Sequence, residues 1–282
     1  MRAIRTVIDN LVFAEGPRWY DGALYISTMH DQQVLKITEA GEAEVIAALD
    51  DATSGLGWLP DGRLLVVAMH TRKVMRRESD GTIAVHGDLN SIATYHANDM
   101  IAAADGTAYV GNFGFSIFPL GQPCPATLAR VAPDGTVSPA AENLWFPNGI
   151  ALTDDEKTLI VAESGAYCLT AFTVGADGSL NDRRMWASLG DGNAPDGFCL
   201  DAEGAAWVAL PHQKKFVRVR EGGEIADTIP VDRHALACVL GGSDRRTLYM
   251  AVSEELEQEK CLSNPSAAVL AAEVDVAGQG KP

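Results

Sequence analysis

The stretch RWYDGALYIS at residues 18–27 joins two apolar, strand-like runs through an Asp-Gly pair. Asp-Gly between apolar runs is a strong β-hairpin signal, because glycine tolerates the positive φ that the tight turn requires. Related copies follow along the chain: WLPDGRLLVV at 58–67, AAADGTAYVG at 102–111, LTDDEKTLIVA at 152–162, LDAEGAAWVA at 200–209 and SDRRTLYMA at 243–251. The sequence is therefore built from six repeats.

The repeats are evenly spread. Their second strands begin near Leu24, Leu64, Ala108, Leu159, Ala206 and Leu248, at spacings of 40, 44, 51, 47 and 42 residues. A second series of turns, such as RRESDGTIAV at 76–85, interleaves with the first and gives each repeat two hairpins. Four strands at such a period are typical of a β-propeller. We predict an all-β, six-bladed propeller with four antiparallel strands per blade, one domain over residues 1–282; two separate β-sandwiches are the alternative.

The last repeat runs short of strands. After its second strand the chain offers one more, at 267–276, while a strand-like segment at 2–8 precedes the first repeat. We predict that this N-terminal strand closes the last blade, which leaves no free sheet edge there. The only helix-favouring stretch is short, at 254–260.

Composition and charge limit the function. Apolar residues make up 47% and charged residues 21% of 282, the balance of a folded protein. The net charge of −16 repels phosphate backbones and anionic lipid, so we expect no nucleic-acid or membrane partner. We recognise no signal peptide at the N-terminus. The five cysteines lack CxxC spacing, so we expect neither a disulfide framework nor a structural zinc site, and a cytoplasmic location.

In a propeller, the segments that lead into the inner strands converge around the mouth of the central channel. Four of the six segments carry an oxygen ligand at the matching place: Glu15, Asn98, Asn148 and Asp196. Two carboxylates and two amides suit a hard cation such as Ca²⁺, Mg²⁺ or Mn²⁺, and carboxylates also bind Zn²⁺. The alternative is that Asn-Gly and Asp-Gly act here only as turn formers.

The loops after the second strands complete the rim of the mouth. They place His30, His70 and His212 at equivalent positions, and His96 precedes the third inner strand. Histidine can bind substrate or move protons near neutral pH. We name His70, His96 and Phe113 as substrate-binding candidates, against the alternative of solvated histidines and a core aromatic. The longer segment 113–125 could form a lid.

Four segments resemble the senescence marker protein/gluconolactonase/luciferin-regenerating-enzyme family. They are FAEGPRW at 13–19, Asn98-Asp99, FPNGI at 146–150 and PDG at 195–197, in order along essentially the whole chain. The resemblance implies a six-bladed propeller with one divalent metal, Ca²⁺ first, at the top of the channel. It implies Glu15, Asn148 and Asp196 as ligands, with Asn98 beside the metal and in contact with substrate.

The resemblance also implies hydrolysis of a lactone, with Asp196 as the general base. Asp99, next to Asn98, is a second candidate base; its alternative role is a strand residue bonded to the backbone. Sugar lactonases of the family commonly carry Arg where this chain has His96, which points away from gluconolactone itself. Two other functions stay open: metal-dependent hydrolysis of phosphotriesters or other esters, and a non-enzymatic calcium-binding or interaction propeller.

Overall fold

The computed structural model describes residues 2–280. Its strands form six four-stranded antiparallel sheets, the blades of a propeller, each laid out in chain order from the inner strand outward except the last. The first three blades contain β2 (Ala14–Tyr20), β3 (Ala23–Thr28), β4 (Gln33–Ile37) and β5 (Ala43–Ala48); β6 (Thr53–Trp58), β7 (Leu64–Ala68), β8 (Lys73–Arg77) and β9 (Ile83–Asp88); and β10 (Ala97–Ala102), β11 (Ala108–Asn112), β12 (Ala126–Val131) and β13 (Val137–Leu144).

The other three blades repeat this pattern. They contain β14 (Pro147–Leu152), β15 (Thr158–Glu163), β16 (Cys168–Val174) and β17 (Leu180–Ser188); β18 (Phe198–Leu200), β19 (Ala206–Leu210), β20 (Lys215–Val219) and β21 (Ile225–Pro230); and β22 (His234–Gly241), β23 (Thr247–Ser253), β24 (Ala267–Glu273) and β1 (Ile4–Leu11). The predicted six-bladed propeller is confirmed.

The N-terminal strand closes the last blade, as predicted. β1 pairs antiparallel with β24, with Ile4 opposite Ala272 and Leu11 opposite Ala267, so the first strand of the chain is the outer strand of the sixth blade. The helix α1 covers Gln258–Ser263, later than the predicted 254–260, and short 3-10 turns lie at Met29–Asp31 and Ser164–Ala166. None of the helices in residues 2–280 has the length and apolarity that a bilayer crossing needs.

The core lies between blades rather than within one centre. The described residues form six clusters of buried apolar side chains. Five of them each join two neighbouring blades, and the sixth joins the last blade to the first and also includes Met69 and Phe113 from the second and third blades. Leu65 and Val110, for example, belong to one cluster that joins the second and third blades. The second strands supply continuous buried runs such as LLVVA in β7, because both faces of a blade are covered. This packing fixes the angle between blades and hence the positions of the inner-strand segments around the axis.

Candidate active site

Irregular pairing marks the start of most inner strands. The register between the first two strands shifts between Glu15 and Arg18 in β2, between Ala97 and Met100 in β10, and between Pro147 and Ile150 in β14. A β-bulge bends its strand and redirects the side chains beside it. These bulges contain or adjoin the residues that the sequence singled out, so the irregularities turn their side chains toward the channel mouth.

Glycines near the starts of the inner strands allow adjacent inner strands to approach each other. A Cβ added to Gly55 would lie 2.2 Å from the backbone nitrogen of Met100, and one added to Gly149 would lie 2.7 Å from the backbone oxygen of Asp196. Real Cβ contacts are not that short, so side chains there would push the blades apart. Gly149 lies inside β14 and not in a turn, so turn formation does not explain the Asn-Gly pair at 148–149.

The four predicted oxygen ligands come together at one cavity. Glu15, Asn98, Asn148 and Asp196 all line a cavity of about 370 Å³ at the channel mouth. The Asn98 Nδ2 donates to Asn148 Oδ1 at 2.9 Å, and the Asp196 carboxylate accepts a hydrogen bond from the Asn148 side chain. Residues from four different blades or their leading segments thus form one polar floor.

Two serines extend this hydrogen-bond network around the ring. Ser54 Oγ donates to Asn98 Oδ1 at 3.3 Å, and Asn148 Nδ2 donates to Ser164 Oγ at 3.2 Å. Ser164 Oγ in turn donates to the backbone oxygen of Pro195 at 2.6 Å. The network fixes the orientation of both amides, because each one is bonded on both sides.

The two carboxyl groups on the floor are hard to ionise. Burial raises the pKa of Glu15 from 4.5 to about 7, and the Asp99 charge adds to this; the Gly16 N–H, 2.9 Å from Glu15 Oε2, and the Arg18 charge act in the opposite direction. Burial and the nearby Glu15 charge raise the pKa of Asp196 well above its usual 3.8. Each carboxyl group therefore favours its protonated form, and a cation between the two groups would stabilise their charged forms.

Asp99 lies under the floor and does not line the cavity. Its Oδ1 pairs with Arg18 Nη2 at 2.8 Å, and both side chains are almost fully buried. It also accepts a hydrogen bond from the Met100 N–H, and Arg18 donates to the backbone oxygens of Pro17 and Met100. The Asp99 carboxylate is thus held by Arg18 and by the backbone, outside the lining of the cavity.

The two predicted histidines meet on one wall of the cavity. The rings of His70 and His96 lie edge to face with their centres 4.5 Å apart, and His96 stacks on Tyr95 at 4.1 Å. His70 Nδ1 lies 2.9 Å from Asp51 Oδ1. Burial and the neighbouring His70 lower the pKa of His96 to about 4, so its ring is neutral at pH 7.

Asp51 supports this wall from behind. Burial alone would raise the pKa of Asp51, but hydrogen bonds from the His70 and Thr71 side chains and backbone outweigh burial and lower it. A carboxylate that stays ionised can hold the His70 ring in one orientation.

Phe113 also lines the cavity, and it is buried. Its ring meets Phe146 edge to face with centres 4.6 Å apart. Further along segment 113–125, Phe118 lines the same cavity with 52% of its surface exposed, whereas Leu120 is 74% exposed and does not line it. The segment thus contributes both to the core and to the mouth.

Sequence reasoning missed Arg18 and Asp51. Arg18 was visible only as part of the FAEGPRW segment, and its partner Asp99 is 81 positions away. Asp51 lies just before the segment that leads into the second inner strand, so the comparison of the repeats did not include it. The bond from Ser164 to Pro195 was not predicted either, because it depends on the packing of two blades.

The family profile described as SMP-30/Gluconolactonase/LRE-like region matches residues 13–254. The chain belongs to this family. The match includes every candidate residue named above, and it agrees with the resemblance found in the four short segments.

Relatives of known name include regucalcins and a lactonase. Regucalcin from Gallus gallus is 29% identical over 147 residues, which cover 50% of this chain and 49% of the relative. The 6-deoxy-6-sulfogluconolactonase from Pseudomonas putida is 27% identical over 160 residues and 55% of each chain. Regucalcin from Macaca fascicularis is 24% identical over 278 residues, 92% of this chain and 84% of the relative. The first matches thus span about half the length of the relatives.

Solved structures of family members superpose over almost the whole chain. A gluconolactonase from Xanthomonas campestris has a TM-score of 0.77 and 27% identity, with 95% of this chain and 89% of that chain covered. A calcium-binding regucalcin from Agrobacterium tumefaciens has a TM-score of 0.83 at 20% identity, with 100% and 97% covered. A luciferin-regenerating enzyme has a TM-score of 0.83 at 18% identity, with 99% and 97% covered. The last two similarities show the fold alone.

Proposed function

We propose that this chain is a lactonase that hydrolyses a small cyclic ester at the floor of the cavity. The observation that carries the proposal is the pair Glu15 and Asp196, two carboxyl groups with raised pKa values beside two fixed amides in one cavity. Membership in a family that includes gluconolactonases supports it, as does 27% identity to a gluconolactonase over most of the chain.

We propose that Glu15, Asn148 and Asp196 hold one divalent cation, with Ca²⁺ first and Mg²⁺, Mn²⁺ or Zn²⁺ as alternatives. The donor chemistry fits, since all three residues offer oxygen atoms. Within residues 2–280 neither carboxylate forms an ion pair, because the nearby Arg18 pairs with Asp99 instead. Within residues 2–280, no three His, Cys, Asp or Glu side chains are grouped so that they could hold a metal ion by themselves. A cation here would therefore depend on the amide oxygens as well.

A bound cation would polarise the lactone carbonyl and make water easier to deprotonate. We propose that Asp196 accepts the proton of the water as oxygen attacks the carbonyl carbon. The ring C–O bond then breaks, and the leaving oxygen takes that proton, so the product is a hydroxy acid. Asn98 holds the substrate, while His70, His96 and Phe113 bound the space beside it. Asp99 holds Arg18 beneath the floor instead of taking a proton.

The test is a panel of lactones assayed with chelator-treated protein before and after addition of Ca²⁺, Mg²⁺, Mn²⁺ or Zn²⁺. We expect activity to need an added cation. Glu15→Gln and Asp196→Asn each remove a ligand charge, so we expect kcat/KM to fall by about 100-fold or more. Asp191→Asn, which changes an exposed carboxylate on the loop before Asp196, is the matched control and keeps full activity.

Three results would separate the alternatives. Activity that survives chelation and both ligand variants would contradict the proposal. Hydrolysis of phosphotriesters but not of lactones would replace the substrate class. Tight Ca²⁺ binding without hydrolysis of any ester would favour a non-enzymatic calcium-binding propeller.

We also propose that residues 1–282 act as one propeller domain in the cytoplasm. All five cysteines are free thiols, which agrees with a reducing compartment. Fractionation of the native cells with an antibody to the chain would test this location.

A further inference from the structure

The cavity has a polar floor and mainly apolar walls. Apolar side chains from several blades form most of its lining above the floor: Phe13, Met29, Met69, Phe113, Phe146 and Leu236. Ile117, Phe118 and Leu256 continue this surface to the mouth. A ligand whose reacting group meets the floor would therefore place the rest of its surface against hydrocarbon and aromatic rings.

Permanent positive charge is missing from the described part of these walls. Of residues 2–280, the ones that line the cavity include no lysine and no arginine. An anionic substituent on the substrate would lose its water without gaining a charged partner, which is unfavourable in a partly enclosed site. A ring bearing many hydroxyl groups is also disfavoured, because each buried hydroxyl needs its own hydrogen-bond partner and most of the wall surface is apolar.

The walls also carry a few polar side chains, which are those of His30, His70, Tyr95, His96, His212 and Gln258. Both ring nitrogens of His30 are buried and have no hydrogen-bond partner, and the ring lies 5.2 Å from that of Phe13. An imidazole in this state can donate or accept one hydrogen bond to a neutral polar atom. The walls thus provide a few polar contacts within a largely apolar surface, as in sites for small, weakly polar molecules.

We propose that the substrate is a neutral lactone that carries an aromatic or branched apolar substituent. This inference rests on the lactonase function proposed above. The lactone ring faces the floor, and the substituent lies against Phe113, Phe118 and Phe146. A cavity of about 370 Å³ has room for both parts.

The first test compares kcat/KM for γ-phenyl-γ-butyrolactone with that for glucono-δ-lactone, using the calcium-loaded full chain. We expect the phenyl lactone to be favoured at least about 10-fold. Equal values, or a preference for glucono-δ-lactone, would overturn the inference and leave the lactonase function in place.

The second test uses two variants from the same loop. Phe118 lines the cavity and Leu120 does not, and both are exposed enough that truncation leaves the core intact. We expect Phe118→Ala to lower kcat/KM about 5- to 10-fold for the phenyl lactone and less than 2-fold for unsubstituted γ-butyrolactone. Leu120→Ala should change neither. Equal losses for both substrates in Phe118→Ala would contradict the inference.

A binding measurement separates the inference from catalysis. The lactam 5-phenyl-2-pyrrolidinone has the shape of the phenyl lactone and resists hydrolysis, so its affinity can be measured by calorimetry. Binding that weakens in Phe118→Ala but not in Leu120→Ala supports the apolar site, even if no lactone is hydrolysed and the proposed function fails. Absence of lactam binding to the unaltered protein would overturn the inference.

Discussion

At the scale of single residues, His30 is a group for which the fold sets the charge. It lies in the 3-10 turn at Met29–Asp31 and lines the cavity. Burial, helped by the nearby His70, lowers the pKa of His30 from 6.5 to about 4. The folded protein therefore resists a proton that the unfolded chain accepts readily.

This shift predicts a loss of stability in mild acid. The folded pKa is lower than the unfolded one, so the neutral ring has no penalty above pH 6.5, and stability falls as the pH drops toward about 4. We expect His30→Phe to remove about 1–3 kcal/mol of this loss. Urea unfolding at pH 7.5 and 4.5 measures the change in the free energy of unfolding between the two pH values. Part of this change remains in the variant, because the pKa of His96 is lowered in the same direction. An identical change in the free energy of unfolding for the unaltered protein and for His30→Phe would contradict the prediction.

The buried pair of Arg18 and Asp99 gives a second prediction at this scale. Removing one partner leaves the other charge buried alone, so we expect Arg18→Met to lower the free energy of unfolding by about 3–5 kcal/mol. The double variant Arg18→Met with Asp99→Leu should regain part of this loss. Chemical unfolding of the single and double variants measures the coupling, and strictly additive effects would argue against the pair.

The sequence predicted the candidate ligands but not their supports, for a physical reason. Glu15, Asn98, Asn148 and Asp196 occupy matching positions of a repeat, so their meeting follows from ring symmetry. Arg18 has no counterpart in the other repeats, and its contact with Asp99 depends on how the first and third blades are packed. Local patterns carry no information on such contacts.

At the scale of strands, the glycines of the inner strands set the spacing between blades. We expect Gly55→Ala to destabilise the protein by about 1–3 kcal/mol, because its Cβ would collide with the backbone at Met100. Gly121→Ala is the matched control, since a Cβ there lies 3.5 Å from Ser116, an ordinary contact. Thermal unfolding compares the two, and equal melting temperatures would show that the blades can separate slightly without penalty.

The strands were predicted closely where turn chemistry defines them. The predicted second strands begin within one residue of the observed β3, β7, β11, β15, β19 and β23, because an Asp-containing turn precedes each of them. The bulges at the starts of β2, β10 and β14 were not predicted. The alternation of side chains in a single strand does not indicate where such an extra residue lies.

At the scale of the whole molecule, the ring is closed by pairing its two ends. Removing residues 2–11 deletes β1 and exposes the edge of β24, and exposed edges recruit strands from other chains. We expect the shortened protein to aggregate and to unfold at a lower temperature, as seen by light scattering and calorimetry. A synthetic peptide of residues 2–11 should reverse both effects; a shortened protein as stable as the full chain would contradict the prediction.

The pairing of β1 with β24 has a consequence for biosynthesis. Because β1 and β24 stand far apart in the chain, β1 is translated long before its partner. Five blades can form from sequential hairpins as they emerge, but the sixth waits until β24 has been made. During that interval the backbone groups of β1 that will pair with β24 lack their strand partner, so the closing of the ring is the last pairing step of folding.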